Sequence, residues 1–194
     1  MRNVTSFKNA FLLCLFSLAL SACANRSHYS AYSHQNGYDG YIMSSSSNAD
    51  YASRIPDRIN TGGKKVVVVD PSEHVWGAYD ENGDLIKAGL ATAGGNYCED
   101  IGRGCRTSVG TFRVYSLGDA SCKSRIYPLP NGGGLMPYCM YFSGGEALHG
   151  SPDGAVVEAN ISHGCVRMRI ADAEWLRNNF VTIGTRVIVR PYTE

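Results

Sequence analysis

The hydrophobic and polar positions of this chain change character along its length. Behind Arg2 and Lys8 lies a short apolar run, AFLLCLFSLAL, from Ala10 to Leu20. It is too short to remain as a membrane-spanning helix, and its flanks are those of an export signal. From Ala24 to Gly63 the residues are mostly Ser, Tyr, Asn and Gly, with neither a helical nor a strand period. Such a stretch buries too little aliphatic surface to offset its ordering entropy, so it reads as a disordered tether. At Lys64 the pattern turns to strands. A β-branched run, VVVVD, is followed by two strand-like stretches around ENGD, the signature of a hairpin. Thr107–Ser116 and Gly184–Tyr192 read as further strands. Between them, apolar residues at Ile170, Ala173, Leu176 and Phe180 fit one amphipathic helix that packs Leu176 and Phe180 inward.

These elements predict a mainly β, single-domain fold with one or two short helices. The expected organisation is a signal segment over 1–22, a tether over 23–63 and a folded domain over 64–192. Of the 194 residues, 44% are hydrophobic and 18% charged, which suits one core, and no internal repeat argues for a second. The formal net charge is +1 and the basic residues are scattered, which excludes the clustered cationic face that a nucleic acid needs.

The end of the signal segment reads LSAC, Leu20 to Cys23, and resembles the lipobox of bacterial lipoproteins. That resemblance implies that Cys23 is lipidated and becomes the mature first residue. Ala24 behind it implies sorting to the outer membrane, so the expected location is the periplasm with a lipid anchor in that membrane. Several acyl chains on one residue make such an anchor stable, each buried methylene adding about 0.8 kcal/mol.

Removing Cys14 with the signal and Cys23 to the lipid leaves Cys98, Cys105, Cys122, Cys139 and Cys165. In an oxidising compartment four of these can pair and one stays free. Four cysteines allow three pairings. Cys98 with Cys105 and Cys122 with Cys139 are favoured because both close short loops. The irregular spacing, without a C-x-x-C pair, argues against zinc, and no metal or cofactor is expected.

Cys165 lies in ISHGCVRMRI, and a cysteine becomes a nucleophile when an imidazole within hydrogen-bond reach takes its proton. His163, two residues away, is expected to point aside. His149, in ALHGSPDG, can be brought across by an adjacent strand and is the expected base. Gly164 permits a tight turn whose N–H groups, from residues 163 to 165, would converge as an oxyanion hole. The natural chemistry is acyl transfer.

The segment LHGSPDGAVVEANISHGCVRM, Leu148–Met168, resembles the signature of the L,D-transpeptidase catalytic domain, also called the YkuD domain. GTFRVYS and MPYCMYF resemble two further segments of that family, and the likeness runs from about Lys64 to Pro191. One departure is Ser108 in RTSVGTF, where the family usually has proline; the four additional cysteines are another. The resemblance implies a β-sandwich-like domain that acts on peptidoglycan stem peptides. Cys165 would attack the carbonyl of the third stem residue and release terminal D-alanine from a thioester. His149 would be the base, held in its tautomer by the Gly150 carbonyl. His163 and Gly164 match the pair before the nucleophile, and Ser162 would support their turn. Arg167 would bind a carboxylate of the stem. Tyr138 and Tyr141 would line the groove, contribute a donor, or simply pack, while His28, His34 and His74 carry no role. The acceptor stays open: a second stem amine, a lysine of an abundant wall-linked lipoprotein, or water. A wall-binding lipoprotein without turnover is the remaining reading.

Overall fold

The computed structural model describes residues 51–193. The export segment, Cys14, Cys23, His28 and His34 lie outside them. No helix among the described residues is long and apolar enough to cross a membrane.

Two sheets carry the fold. The first has five strands in the order β3-β2-β1-β9-β4, built from β1 (Val66–Asp70), β2 (Val75–Tyr79), β3 (Leu85–Leu90), β4 (Gly110–Arg113) and β9 (Arg186–Val189). The second has four in the order β5-β6-β7-β8, from β5 (Ser116–Leu117), β6 (Met140–Ser143), β7 (Glu146–Ser151) and β8 (Val166–Arg169). The ENGD hairpin forms as expected. Asp80 accepts the amides of Asn82 and Asp84, and Gly83 at φ +91° makes the bend that a side chain would resist.

The main core lies between the sheets. Val67, Val69, Trp76, Val187 and Val189 meet Met140, Leu148, Val166 and Met168 there. Leu176 and Phe180 close the core from the helical segment, which is an α-helix, α1 (Ile170–Trp175), continued by a π turn over Leu176–Phe180. Ile170, at the start of that stripe, is exposed. The salt bridge from Lys87 to Asp172, at 2.9 Å, ties α1 to β3.

Two expectations need correcting. The run Thr107–Ser116 is not one strand: it divides into β4 in the first sheet and β5 in the second. The chain crosses at buried Val114, whose N–H donates to Thr185 O at 2.9 Å, while the N–H of Tyr115 already donates to Tyr141 O in the other sheet at 2.9 Å. The stretch from Tyr51 to Thr61 is also no free tether. Val66, Val68, Val75 and Tyr79 form a second apolar face on the outside of the first sheet, and Tyr51 and Ile55 cover it. Pro56 O accepts the Tyr79 hydroxyl at 2.7 Å, and Ile59 N–H donates to Gly83 O at 2.9 Å. A strand buried on both faces has a continuous apolar run, as β1 does, and its outer face must be covered by something. Gly77 gives Ile55 its room, because a Cβ there would lie 2.5 Å from the Ile55 side chain.

Disulfides join Cys98 to Cys105 and Cys122 to Cys139, the favoured pairing. Each closes a loop that has little regular structure to hold it. Loop closure of this length is worth about 2 to 3 kcal/mol per bond. Reducing agent is therefore expected to lower the melting temperature, read by differential scanning calorimetry, while Cys165 remains open to alkylation. An unchanged melting curve after complete reduction would show that the staples do not stabilise the domain.

Candidate active site

β7 and β8 are neighbouring parallel strands, with His149 opposite Arg167 and Leu148 opposite Val166. Alternation along both strands sends Leu148, Val166 and Met168 into the core and His149 and Arg167 to the other face. Cys165 immediately precedes β8, two residues before Arg167, so it shares that face as the diagonal neighbour of His149. A cavity of about 350 Å³ is lined by Cys165, His149, Arg167, Ser151, Asp100 and His163. A second, of about 490 Å³, adjoins it and is lined by Tyr115, Arg125, Tyr141 and Glu146 among others. Cys165 and His163 line both.

Cys165 is the free cysteine of the described residues and is partly exposed. The turn before it is fixed from both sides. Ser162 N–H donates to Ala93 O and Gly95 N–H to Ser162 O, both at 3.0 Å. The Ser162 hydroxyl donates to Cys165 O and accepts the Gly164 N–H. Gly164 has φ +114°, a conformation that disfavours any Cβ. The Gly164 amide is thus held inside the turn, which corrects the expectation that all three amides of 163–165 face one point.

His149 is buried, and its Nδ1 lies 2.8 Å from Gly150 O. A carbonyl only accepts, so Nδ1 carries the proton and Nε2 is the basic nitrogen of the neutral ring. Gly150 leaves little room for a side chain, because a Cβ would lie 3.0 Å from Ile170 Cα and 3.2 Å from Pro137 O. Burial, aided by the charge of Arg167, pushes the His149 pKa down to about 4 against the support of Gly150 O. Burial also pushes the Cys165 thiol up; the Ala147 amide and Arg167 oppose this, and Glu146 adds to it. The thiol donates to Gly145 O at 3.8 Å, and burial disfavours the charged form of both the thiol and the imidazole.

His163 is engaged elsewhere. Its Nε2 is 2.8 Å from Asp100, in the Cys98–Cys105 loop, and its ring stacks on Tyr127, in the Cys122–Cys139 loop, at 4.4 Å between centroids. Both stapled loops thus meet on the residue before the Gly164 turn. Cys98, Asp100 and His163 have the spacing of metal ligands, but the Cys98 sulfur is bonded to Cys105 and is not a thiolate. Arg167 pairs with no carboxylate among the described residues and lines the first cavity. Tyr141 lines the second cavity. Tyr138 lines neither: its hydroxyl donates to Glu174 on α1 at 2.8 Å, so it braces the helix and is not a groove residue. His74 sits half-buried in the β1–β2 turn at φ +51°.

Sequence reading missed Asp100, Tyr127, Arg125 and Glu146. The first three come from loops without a pattern. Glu146 sits where the β6–β7 register shifts, and such a shift re-aims a side chain against the alternation that would have revealed it.

The sequence profile of the L,D-transpeptidase catalytic domain (YkuD) matches residues 64–189. The chain belongs to this family. Among solved structures, an L,D-transpeptidase from Xylanimonas cellulosilytica is 29% identical with a TM-score of 0.58, over 70% of this chain and 64% of that one. L,D-transpeptidase 3 from Mycobacterium tuberculosis, in complex with a faropenem-derived adduct, is 25% identical with a TM-score of 0.54, over 66% of this chain and 60% of that one. An L,D-transpeptidase from Mycobacterium smegmatis, at 24% identity and a TM-score of 0.54, shares the fold. The chain spans less than two thirds of the length of each of these structures. No curated protein matches it. The mainly β, two-sheet architecture agrees with these structures.

Proposed function

We propose that the chain is a peptidoglycan L,D-transpeptidase that works through a thioester on Cys165 and is anchored by lipid at Cys23, at the outer membrane on its periplasmic side. The observation that carries this reading is the common face of β7 and β8, where thiol, imidazole and guanidinium line one cavity. Arg167 holds a carboxylate of the donor stem by a forked pair of hydrogen bonds. Cys165 adds to the carbonyl of the third stem residue while Nε2 of His149 takes the thiol proton. The oxyanion rests on the His163 and Cys165 amides, and collapse expels D-alanine, which receives that proton. An acceptor then attacks the thioester, His149 relays a proton to the sulfur, and the thiol is restored. An amine acceptor gives a cross-link or a wall-anchored protein; water gives a carboxypeptidase.

Full-length protein incubated with disaccharide tetrapeptides is expected to yield dimers that lack one D-alanine, read by mass spectrometry. Tripeptide alone would shift the reading to hydrolysis, and no product would favour a wall-binding lipoprotein. Faropenem is expected to add covalently to the intact protein, one equivalent at Cys165, given the adduct borne by the relative from M. tuberculosis. A mass unchanged after long incubation would count against a reactive thiol in this cleft.

A further inference from the structure

At one end of the first sheet, strand pairing brings cations together. Arg113, the last residue of β4, and Arg186, the first of β9, are direct cross-strand partners. On its other side Arg186 pairs with Val66, so Lys64 and Lys65, which lead into β1, arrive beside it. Like charges placed opposite each other on neighbouring strands destabilise a sheet. None of the four forms a salt bridge among the described residues. Yet three of them are braced. Arg113 Nη1 donates to Gly184 O at 3.0 Å, Arg186 Nη2 donates to Thr61 O, and the Lys65 ammonium lies 5.2 Å from the centre of the Phe180 ring. Arg186 Nε is a buried donor without an acceptor among the described residues, so nothing there offsets the guanidinium charge. All four line a cavity of about 430 Å³ whose other charged residue is Glu81: four cations against one carboxylate, an excess of three.

We propose that this cavity is a binding site for phosphate groups, with the paired guanidiniums of Arg113 and Arg186 on the phosphate oxygens and the ammoniums of Lys64 and Lys65 completing the neutralisation. The two oxygens of a carboxylate occupy a single guanidinium fork, and its one charge leaves most of the excess standing. A phosphate monoester offers three strong acceptors and nearly two charges, and closely spaced phosphodiesters offer as much together. The site is remote from the reacting thiol. Ser108, two residues before β4, lies 3.0 Å from Glu146, which lines the second cavity with Cys165. Arg113 is five extended residues further on, roughly 15 Å away at the rise of a strand. A phosphate held there touches no reacting group, so the proposal is independent of the transpeptidase reading. Two sources present this chemistry: the headgroups of an anionic membrane, for which exposed Ile183 on the cavity rim supplies an apolar tip, and a soluble phosphorylated molecule.

The purified full chain is titrated by calorimetry with inorganic phosphate and, at equal ionic strength, with acetate. It is also sedimented with vesicles of phosphatidylcholine, alone or mixed with phosphatidylglycerol. Phosphate is expected to bind about tenfold more tightly than acetate, and Arg113→Gln to weaken phosphate binding about tenfold. Arg113 is exposed, so its substitution leaves the melting curve and the alkylation of Cys165 near those of the wild type. Arg186→Gln also gives up the brace to Thr61, and Lys64→Gln, at a second exposed side chain, takes its place as the companion variant. Greater retention on the phosphatidylglycerol vesicles than on phosphatidylcholine alone, lost in Arg113→Gln, supports the site with lipid headgroups as the source. Phosphate binding with equal retention on both vesicles supports it with a soluble source. Acetate bound as tightly as phosphate overturns the proposal. So does binding of neither phosphate nor phosphatidylglycerol, or binding that both Arg113→Gln and Lys64→Gln leave unmoved.

Discussion

Cys165→Ala is expected to abolish both turnover and the covalent adduct with a tetrapeptide donor. The loss should reach about 10⁴-fold or more, because a methyl group cannot form the acyl link and the remaining groups only bind and orient. Thermal stability should change little by comparison, since Cys165 is partly exposed and borders the small cluster of Met136, Cys139 and Ala147, away from the main core. This contrast separates a missing nucleophile from a misfolded domain. Intact mass after incubation with donor gives the first readout, and a melting curve gives the second. A Cys165→Ala protein that still releases D-alanine would remove the thioester mechanism altogether.

His149→Gln is expected to act on rate and on pH dependence together. Removing the base should slow acylation by about 10²- to 10⁴-fold. The stability effect follows from the folded-state pKa of about 4, which lies below the ordinary 6.5. As pH falls from 6.5 towards 4, the unfolded chain binds a proton that the native chain refuses, so native stability drops through that window. A shift of this size corresponds to a loss on the order of 3 kcal/mol by pH 4. It fades as pH rises well above 6.5, where the ring is neutral in both states. Denaturant titrations at a series of pH values should therefore show the wild type losing more stability on acidification than His149→Gln. Parallel curves for the two proteins would mean that the ring is not held neutral by burial.

Much of the chemistry was readable because it sits on strands. His149 and Cys165 occupy short motifs whose residue types carry their reason with them: a basic ring, a glycine that permits a turn, and a thiol. The register between β7 and β8 then does what alternation says it must, placing both on the face away from Leu148 and Val166. The split between β4 and β5 was hidden because a strand that changes sheets keeps its apolar pattern through the crossing. Tyr51 and Ile55 were hidden by their polar surroundings. Their partner was visible, since a four-valine run is apolar on both faces and calls for a second cover. Tyr138 stayed open in the sequence because an aromatic beside a cleft motif looks the same whether it faces substrate or, as here, Glu174. Glu146 needed coordinates, because a shifted register and a contact to Ser108 across 38 residues leave no local signature.

The parallel pairing of β7 and β8 has a practical corollary. The spacing between His149 and Cys165 is dictated by main-chain hydrogen bonds between the last two strands of the second sheet, while the segment linking the two strands, from Pro152 to Gly164, passes outside it. Lengthening, trimming or exchanging the outer part of that crossover, ahead of the Ser162–Gly164 turn, should redraw the entrance to the cleft without retuning the reaction, much as a lens can be swapped on a fixed camera body.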